Sequence, residues 1–111
     1  MHIWKVLEAG DGVFLDVNEL GRISDNPPRA LRLLAEHTPE VVVTCGRRGS
    51  LICHEGSRTR IRAVRAVREL DPTGLGDTYM AAYVHARRLV GPEAAGRFAS
   101  LMATRKLEGK I

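Results

Sequence analysis

Eight residues in the C-terminal half, Asp71-Pro72-Thr73-Gly74-Leu75-Gly76-Asp77-Thr78, place two glycines and two aspartates directly ahead of a run of small and apolar residues. Glycines at 74 and 76 open backbone angles closed to other residues, so consecutive N–H groups can turn into one concavity. A helix starting here adds its unpaired first-turn N–H groups and the positive end of its dipole. The backbone of Gly74, Leu75, Gly76 and Asp77 is thus a candidate anion hole, suited to an oxyanion or phosphoryl group. Asp77 stands on its rim, where a carboxylate can orient and deprotonate an attacking hydroxyl. The same residues also suit a plain helix start, with Asp77 or Thr78 as the cap and the glycines tightening the turn.

The flanking elements follow from periodicity. From Gly76, DTYMAAYVHARRLV sets Met80, Tyr83, Val84 and Arg87 at helical intervals, and small Ala81 and Ala82 would let this helix approach a sheet. A second helix opens at Gly91-Pro92-Glu93 and continues through AAGRFASLMATRKL, proline being tolerated in a first turn. Upstream, VVVTC is β-branched and continuously apolar, the pattern of a strand buried on both faces. The GRRG between VVVTC and SLICH suits a hairpin loop with glycine at positive φ, and RTRIRAV reads as a further strand. GVFLDV reads as a strand ending at Asp16, Pro27-Pro28 open a helix through RALRLLAEH, and HIWKVLEAG reads as a short helical turn. The order β, α, β, β, β, α, α predicts an α/β fold with layers on both sides of the sheet.

With 111 residues, 44% of them hydrophobic, the chain can build one small domain and no more. No stretch approaches the roughly 18 apolar residues of a membrane span, and MHIWKVLEAG lacks the basic and apolar regions of a signal peptide, so a cytoplasmic location is expected. Cys45 and Cys53 lie in apolar runs and are expected as free, buried thiols, without the further ligands a metal site needs. The net charge of +4 comes largely from arginine and raises the question of nucleic acid. The 5% aromatic content argues against it. So does the alternation Arg58, Arg60, Arg62, which a strand with one solvated face would show.

The full string resembles the C-terminal signature of the ribokinase-like (PfkB) carbohydrate kinases: Asp71-Pro72-Thr73-Gly74, Gly76-Asp77, three residues, then Ala81-Ala82-Tyr83-Val84. Members usually carry alanine or glycine where this chain has Leu75. Thr44-Cys45-Gly46-Arg47-Arg48-Gly49 resembles the family's Thr-x-Gly-x-x-Gly nucleotide-binding turn, though any hairpin needs glycines. Asp16-Val17-Asn18-Glu19 resembles its Asn-x-x-Glu segment with Asp16 in place of asparagine. A register through Asn18 would put Gly21 at the glutamate, and surface acidity beside a helix start is an equal reading. RFASLMATRKL resembles the helix whose small residues, here Ala99 and Ser100, lie near the adenine.

The resemblance implies an α/β fold corresponding to the C-terminal part of a layered α/β/α sandwich, with residues 1–111 forming one partial domain. It implies ATP-dependent phosphoryl transfer to a hydroxyl of a sugar, polyol or nucleoside, with Asp77 as base and Gly74 to Asp77 as anion hole. ATP would be held by Thr44, Cys45, Gly46, Arg47, Arg48, Gly49, Gly76, Asp16 and Ser100, and Mg²⁺ would lie near Asp16 and Glu19, the latter acting indirectly. The segment holding the acceptor would come from an N-terminal complementing polypeptide or a second copy of the chain. A catalytically silent nucleotide-binding module of the same descent is the alternative. No Walker-type Gly-Lys-Ser/Thr and no protein-kinase His-Arg-Asp string is present.

Overall fold

The computed structural model describes residues 2–6, 10–66, 69 and 74–110. Along the chain come β1 (His2–Val6), β2 (Gly10–Asp16), α1 (Val17–Ile23), α2 (Pro27–His37), β3 (Glu40–Thr44), β4 (Ser50–His54), β5 (Ser57–Ile61), α3 (Leu75–Arg87) and α4 (Pro92–Leu107). The sheet runs β1-β2-β3-β4-β5, with β2 and β3 parallel and the other pairs antiparallel.

Strand alternation sorts the core into two layers. Phe14, Val42 and Ile52 stand in register across β2, β3 and β4 and pack with Ile61 beneath Tyr79, Tyr83 and Ala86 of α3 and Ala95 and Ala99 of α4. One residue away, Val13, Val41 and Cys53 form the opposite row, which with Leu15 and Val43 packs on Leu20 of α1 and Ala30 and Leu31 of α2. Val41, Val42 and Val43 are therefore buried on alternate faces, as the unbroken apolar run of β3 requires. On β5, Arg58 and Arg60 are exposed while Ile61 is buried, the expected one-sided strand.

The close approach of helix to sheet falls to α4 rather than to the alanines of α3. Ala81 is exposed and Ala82 only partly buried against the core, while α3 turns Tyr79, Tyr83 and Ala86 inward. Gly96 of α4 comes so near that a Cβ there would lie 2.6 Å from Ile52 Cδ1 and 2.9 Å from Ile61 Cγ1. Two elements depart from the sequence reading. His2–Val6 is a strand and not a helical turn, held by pairing with β2 in the register His2↔Phe14, which its Ile3, Trp4 and Val6 suit. Val17–Ile23 is a helix, which the order of elements read from the sequence does not include, although a helix start beside Asp16 and Glu19 was one of its two readings. Its start carries a capping box: Asp16 Oδ1 accepts from the Glu19 amide at 2.8 Å and Glu19 Oε1 from the Asp16 amide at 3.1 Å.

A buried ionic cluster ties α3 to the start of β3. Glu40 is completely buried; Tyr83 donates its hydroxyl to Oε2 at 2.6 Å, and Arg87 Nε reaches both carboxylate oxygens at 3.1 Å. Burial, and then the bond to Glu40, push the Tyr83 phenol well above its usual range.

Candidate functional site

The site lies at the edge where the parallel strands β2 and β3 end. Asp16, Thr44 and Ser50 stand in register along this edge. Between β3 and β4 the chain makes a single 3-10 turn, Gly46–Arg48, closed by Cys45 N–H donating to Gly49 O at 2.8 Å. Gly49 has no substitute there: its φ is +91°, and a Cβ would lie 2.0 Å from Ile61 O. The turn thus packs directly on the end of β5. That contact, with the Thr104 hydroxyl donating to Val64 O at 2.6 Å, accompanies the end of β5 at Ile61, short of the Val64 that the sequence suggested.

Helix α3 begins beside this turn. Gly74 is its N-cap, in the left-handed region at φ 74°, and makes no side-chain cap hydrogen bond. Leu75, Gly76 and Asp77 are the first three helical residues, and Thr78 N–H is the amide that bonds back to Gly74 O, at 2.9 Å. Neither Asp77 nor Thr78 is the cap. Asp77 is exposed in the first turn, where its charge also favours the helix dipole. Asp71, Pro72 and Thr73 lie outside the described residues.

One cavity of about 880 Å³ joins these segments. Thr44, Gly46, Arg47 and Gly49 form one wall, Leu75 and Gly76 the second, and Ser100, Ala103, Thr104 and Leu107 of α4 a third, with residues 63–66 between them. Seven of the expected positions, Thr44, Gly46, Arg47, Gly49, Leu75, Gly76 and Ser100, therefore share a cavity. Gly74 and Asp77 stand immediately beside its wall, and Cys45 and Arg48 belong to the turn without lining it. Asp16 lies at the correct edge, but it and Glu19 are engaged in the capping box and line no part of the cavity. Each of these carboxylates commits one oxygen to an amide, and no group of three metal-ligating side chains stands among the described residues, so any Mg²⁺ here would rest chiefly on nucleotide oxygens and water, with Asp16 and Glu19 acting indirectly.

Sequence reading passed over three contributors. Tyr79 lines the cavity, and its hydroxyl meets Ser50 Oγ at 2.5 Å. Burial pushes its phenol upward, offset in part by hydrogen bonds to Ser50 and Ser100. Thr104 fixes the segment at Val64 as a wall. Glu69 reaches Arg47 in an exposed ion pair, which contributes little to stability in such a position. The phenol two residues after Asp77 was a signal available in the sequence; the partners of Thr104 and Glu69 were not. Cys53 is buried and Cys45 half-buried, both as free thiols, and burial raises Cys53 despite the nearby Arg58.

Residues 11–108 match the pfkB family of carbohydrate kinases. The chain belongs to this family. It is 28% identical over 82 residues to a nucleoside kinase of Methanocaldococcus jannaschii, covering 74% of this chain and 27% of that protein. The structure of that kinase, described as an archaeal member of the ribokinase family, superposes with a TM-score of 0.79 over 87% of this chain. A Burkholderia thailandensis nucleoside kinase in complex with ADP-inosine gives 0.78 at 29% identity, covering 86% of this chain and 30% of that one. A Rhizobium etli protein described as a probable sugar kinase gives 0.81 at 23% identity over 87% of this chain and 30% of its own, a likeness of fold. The fold is therefore ribokinase-like α/β, and this pfkB-family chain spans no more than about a third of the nucleoside kinases it resembles. Among the described residues no helix is long and apolar enough to cross a membrane.

Proposed function

We propose that the cavity binds the phosphoryl-donor nucleotide, ATP, in a kinase reaction that transfers phosphate to a hydroxyl of a nucleoside or sugar. The observation that carries this reading is the meeting of the Gly46–Gly49 turn, the first turn of α3 and the Ser100–Leu107 face of α4 in one cavity. It lies at the C-terminal edge of the parallel strands, the usual crevice of α/β folds. Turn and helix start offer backbone N–H groups to phosphates, and the small and apolar residues of α4 suit a base. A nucleoside is the favoured acceptor class, because the M. jannaschii and B. thailandensis relatives are nucleoside kinases.

In this reading the amides of Leu75, Gly76 and Asp77 hold the charge that develops on the transferred group, and the Asp77 carboxylate takes the acceptor's proton. Phosphoryl transfer through a loose transition state asks for placement and charge neutralisation more than for a strong base, so an exposed first-turn carboxylate suffices. Acceptor binding is assigned to a polypeptide equivalent to the remaining two thirds of the relatives, either N-terminal to this segment or supplied as a partner.

The test is ATP-dependent phosphorylation of a panel of nucleosides and sugars, by the chain alone and by the chain joined to such a segment. The joined protein should turn over a nucleoside, and Asp77→Asn should lower kcat by about a hundredfold or more with little change in nucleotide Kd. Equal rates for wild type and Asp77→Asn would remove Asp77 as base. Nucleotide binding without turnover on any acceptor would favour a binding module.

A further inference from the structure

Three hydroxyls meet behind the cavity: Ser50 Oγ, Tyr79 Oη and Ser100 Oγ. The Tyr79 and Ser50 oxygens lie 2.5 Å apart, a Cβ on Gly96 of α4 would stand 3.5 Å from the Tyr79 oxygen, and Tyr79, Ser50 and Ser100 are 6%, 2% and 5% exposed. Tyr79 and Ser100 line the cavity, and Ser50 stands behind its first wall. Ser50 directly follows the Gly46–Gly49 turn, Tyr79 lies one helical turn beyond Leu75 and Gly76, and Ser100 faces the cavity from α4.

The packing of Tyr79 does not require this hydroxyl. Its ring is held by Phe14 at 5.6 Å between centroids and by Tyr83, stacked at 6.3 Å, so a phenylalanine would fill the same space. The oxygen is a buried polar group, costly unless bonded; its partner Ser50 directly follows the turn, and it lies against α4 at Gly96. The phenol's ordinary value of 10.0 keeps it protonated around neutral pH, and burial raises it further, so the hydroxyl can both donate and accept there.

Building on the nucleotide reading of the cavity, we infer that Tyr79 is a positioning residue, whose hydroxyl sets the phosphate-binding turn and helix start at a fixed offset from the α4 surface that takes the base. The consequence is specific. A ligand that touches only one wall tolerates a small shift between walls, whereas one that spans them must meet both at once and loses affinity.

The test uses the whole chain, its Tyr79→Phe and Ser50→Ala variants and the double variant, with ADP, adenosine and pyrophosphate as probes of both walls together and of each alone. Tyr79→Phe should weaken ADP about tenfold and each half-ligand by less than about twofold, the scale of one lost buried hydrogen bond. Ser50→Ala should do the same, and the double variant should be no worse than either single one. Equal losses for all three ligands, additive losses in the double variant, or no loss would each overturn the inference. A wild-type chain that binds none of the probes would instead overturn the nucleotide reading, and the positioning role with it.

Discussion

Replacing Arg87 by methionine should be among the most damaging single changes in the molecule. The side chain is 15% exposed, and its guanidinium contacts both oxygens of a carboxylate with no solvent access at all. Methionine keeps the apolar stem and leaves Glu40 with the Tyr83 hydroxyl at 2.6 Å and His54 Nε2 at 3.8 Å. Removing one partner of a buried ion pair costs about 3–5 kcal/mol, mostly as the penalty of the charge left behind. A chain of this length has roughly 6–17 kcal/mol in total at typical values per residue. At about 4 °C per kcal/mol, Tm should fall by about 12–20 °C. Thermal unfolding followed by circular dichroism measures this directly. The triple variant Glu40→Leu, Tyr83→Phe, Arg87→Met removes the three buried groups, leaving His54, 25% exposed, to solvent, and should recover most of the loss, since well-packed apolar replacements of buried ion pairs are near neutral. An Arg87→Met protein that melts with wild type, or a triple variant no better than the single one, would refute the argument.

Gly49→Ala should destabilise the fold by at least about 2–3 kcal/mol, because it forces a side chain into positive φ and against the backbone at Ile61. By contrast, Gly21→Ala in α1 meets nothing within 4 Å and should leave stability unchanged or raise it by up to about 1 kcal/mol, measured by urea unfolding. The only two tyrosines, Tyr79 and Tyr83, are both raised by burial from the ordinary value of 10.0. The folded state therefore holds protons that the unfolded chain releases, and the stability this gives is complete below pH 10.0 and is lost as pH rises above it. Tyrosinate absorbance should appear only together with cooperative alkaline unfolding, and an independent titration near pH 10.0 in the folded chain would contradict the burial argument. Cys53 should resist alkylation until the chain unfolds, with Cys45 modified first, as peptide mapping would show.

Elements whose pattern matches a single environment were legible in the sequence. The run Val41 to Val43 announced a strand covered on both faces, Pro27-Pro28 and Gly91-Pro92 marked two helix starts, and the glycines at 46 and 49 marked the turn. The element α1 was absent from the predicted order because Asp16 and Glu19 allow two readings: the same spacing that suits a ligand-facing acidic pair also caps a helix, and Gly21, within the helix, lowers its propensity. Helix α3 was found with Tyr83 on its inward stripe, but Tyr79 and Ala86 were not read as facing inward. Alanines are neutral about direction, and the deciding fact is that Tyr79 and Tyr83 reach hydroxyl and carboxylate partners 29 and 43 residues away in sequence. Most of the cavity wall was visible as a motif. Its α4 side depended on Thr104 reaching Val64, a tertiary contact for which the sequence carries no local sign.

The central claim is that one cavity, walled by the Gly46–Gly49 turn, the start of α3 and the inner face of α4, takes a nucleotide. Amide NMR of the isotope-labelled chain during titration with ADP tests it most directly. Saturable shifts are expected at Gly46 to Gly49, at Leu75 to Asp77 and around Ser100 to Leu107, while amides beside the Glu40–Arg87 cluster at the opposite edge of the sheet remain in place. Shifts confined to the exposed arginines of β5, or none at all up to millimolar ADP, would contradict it.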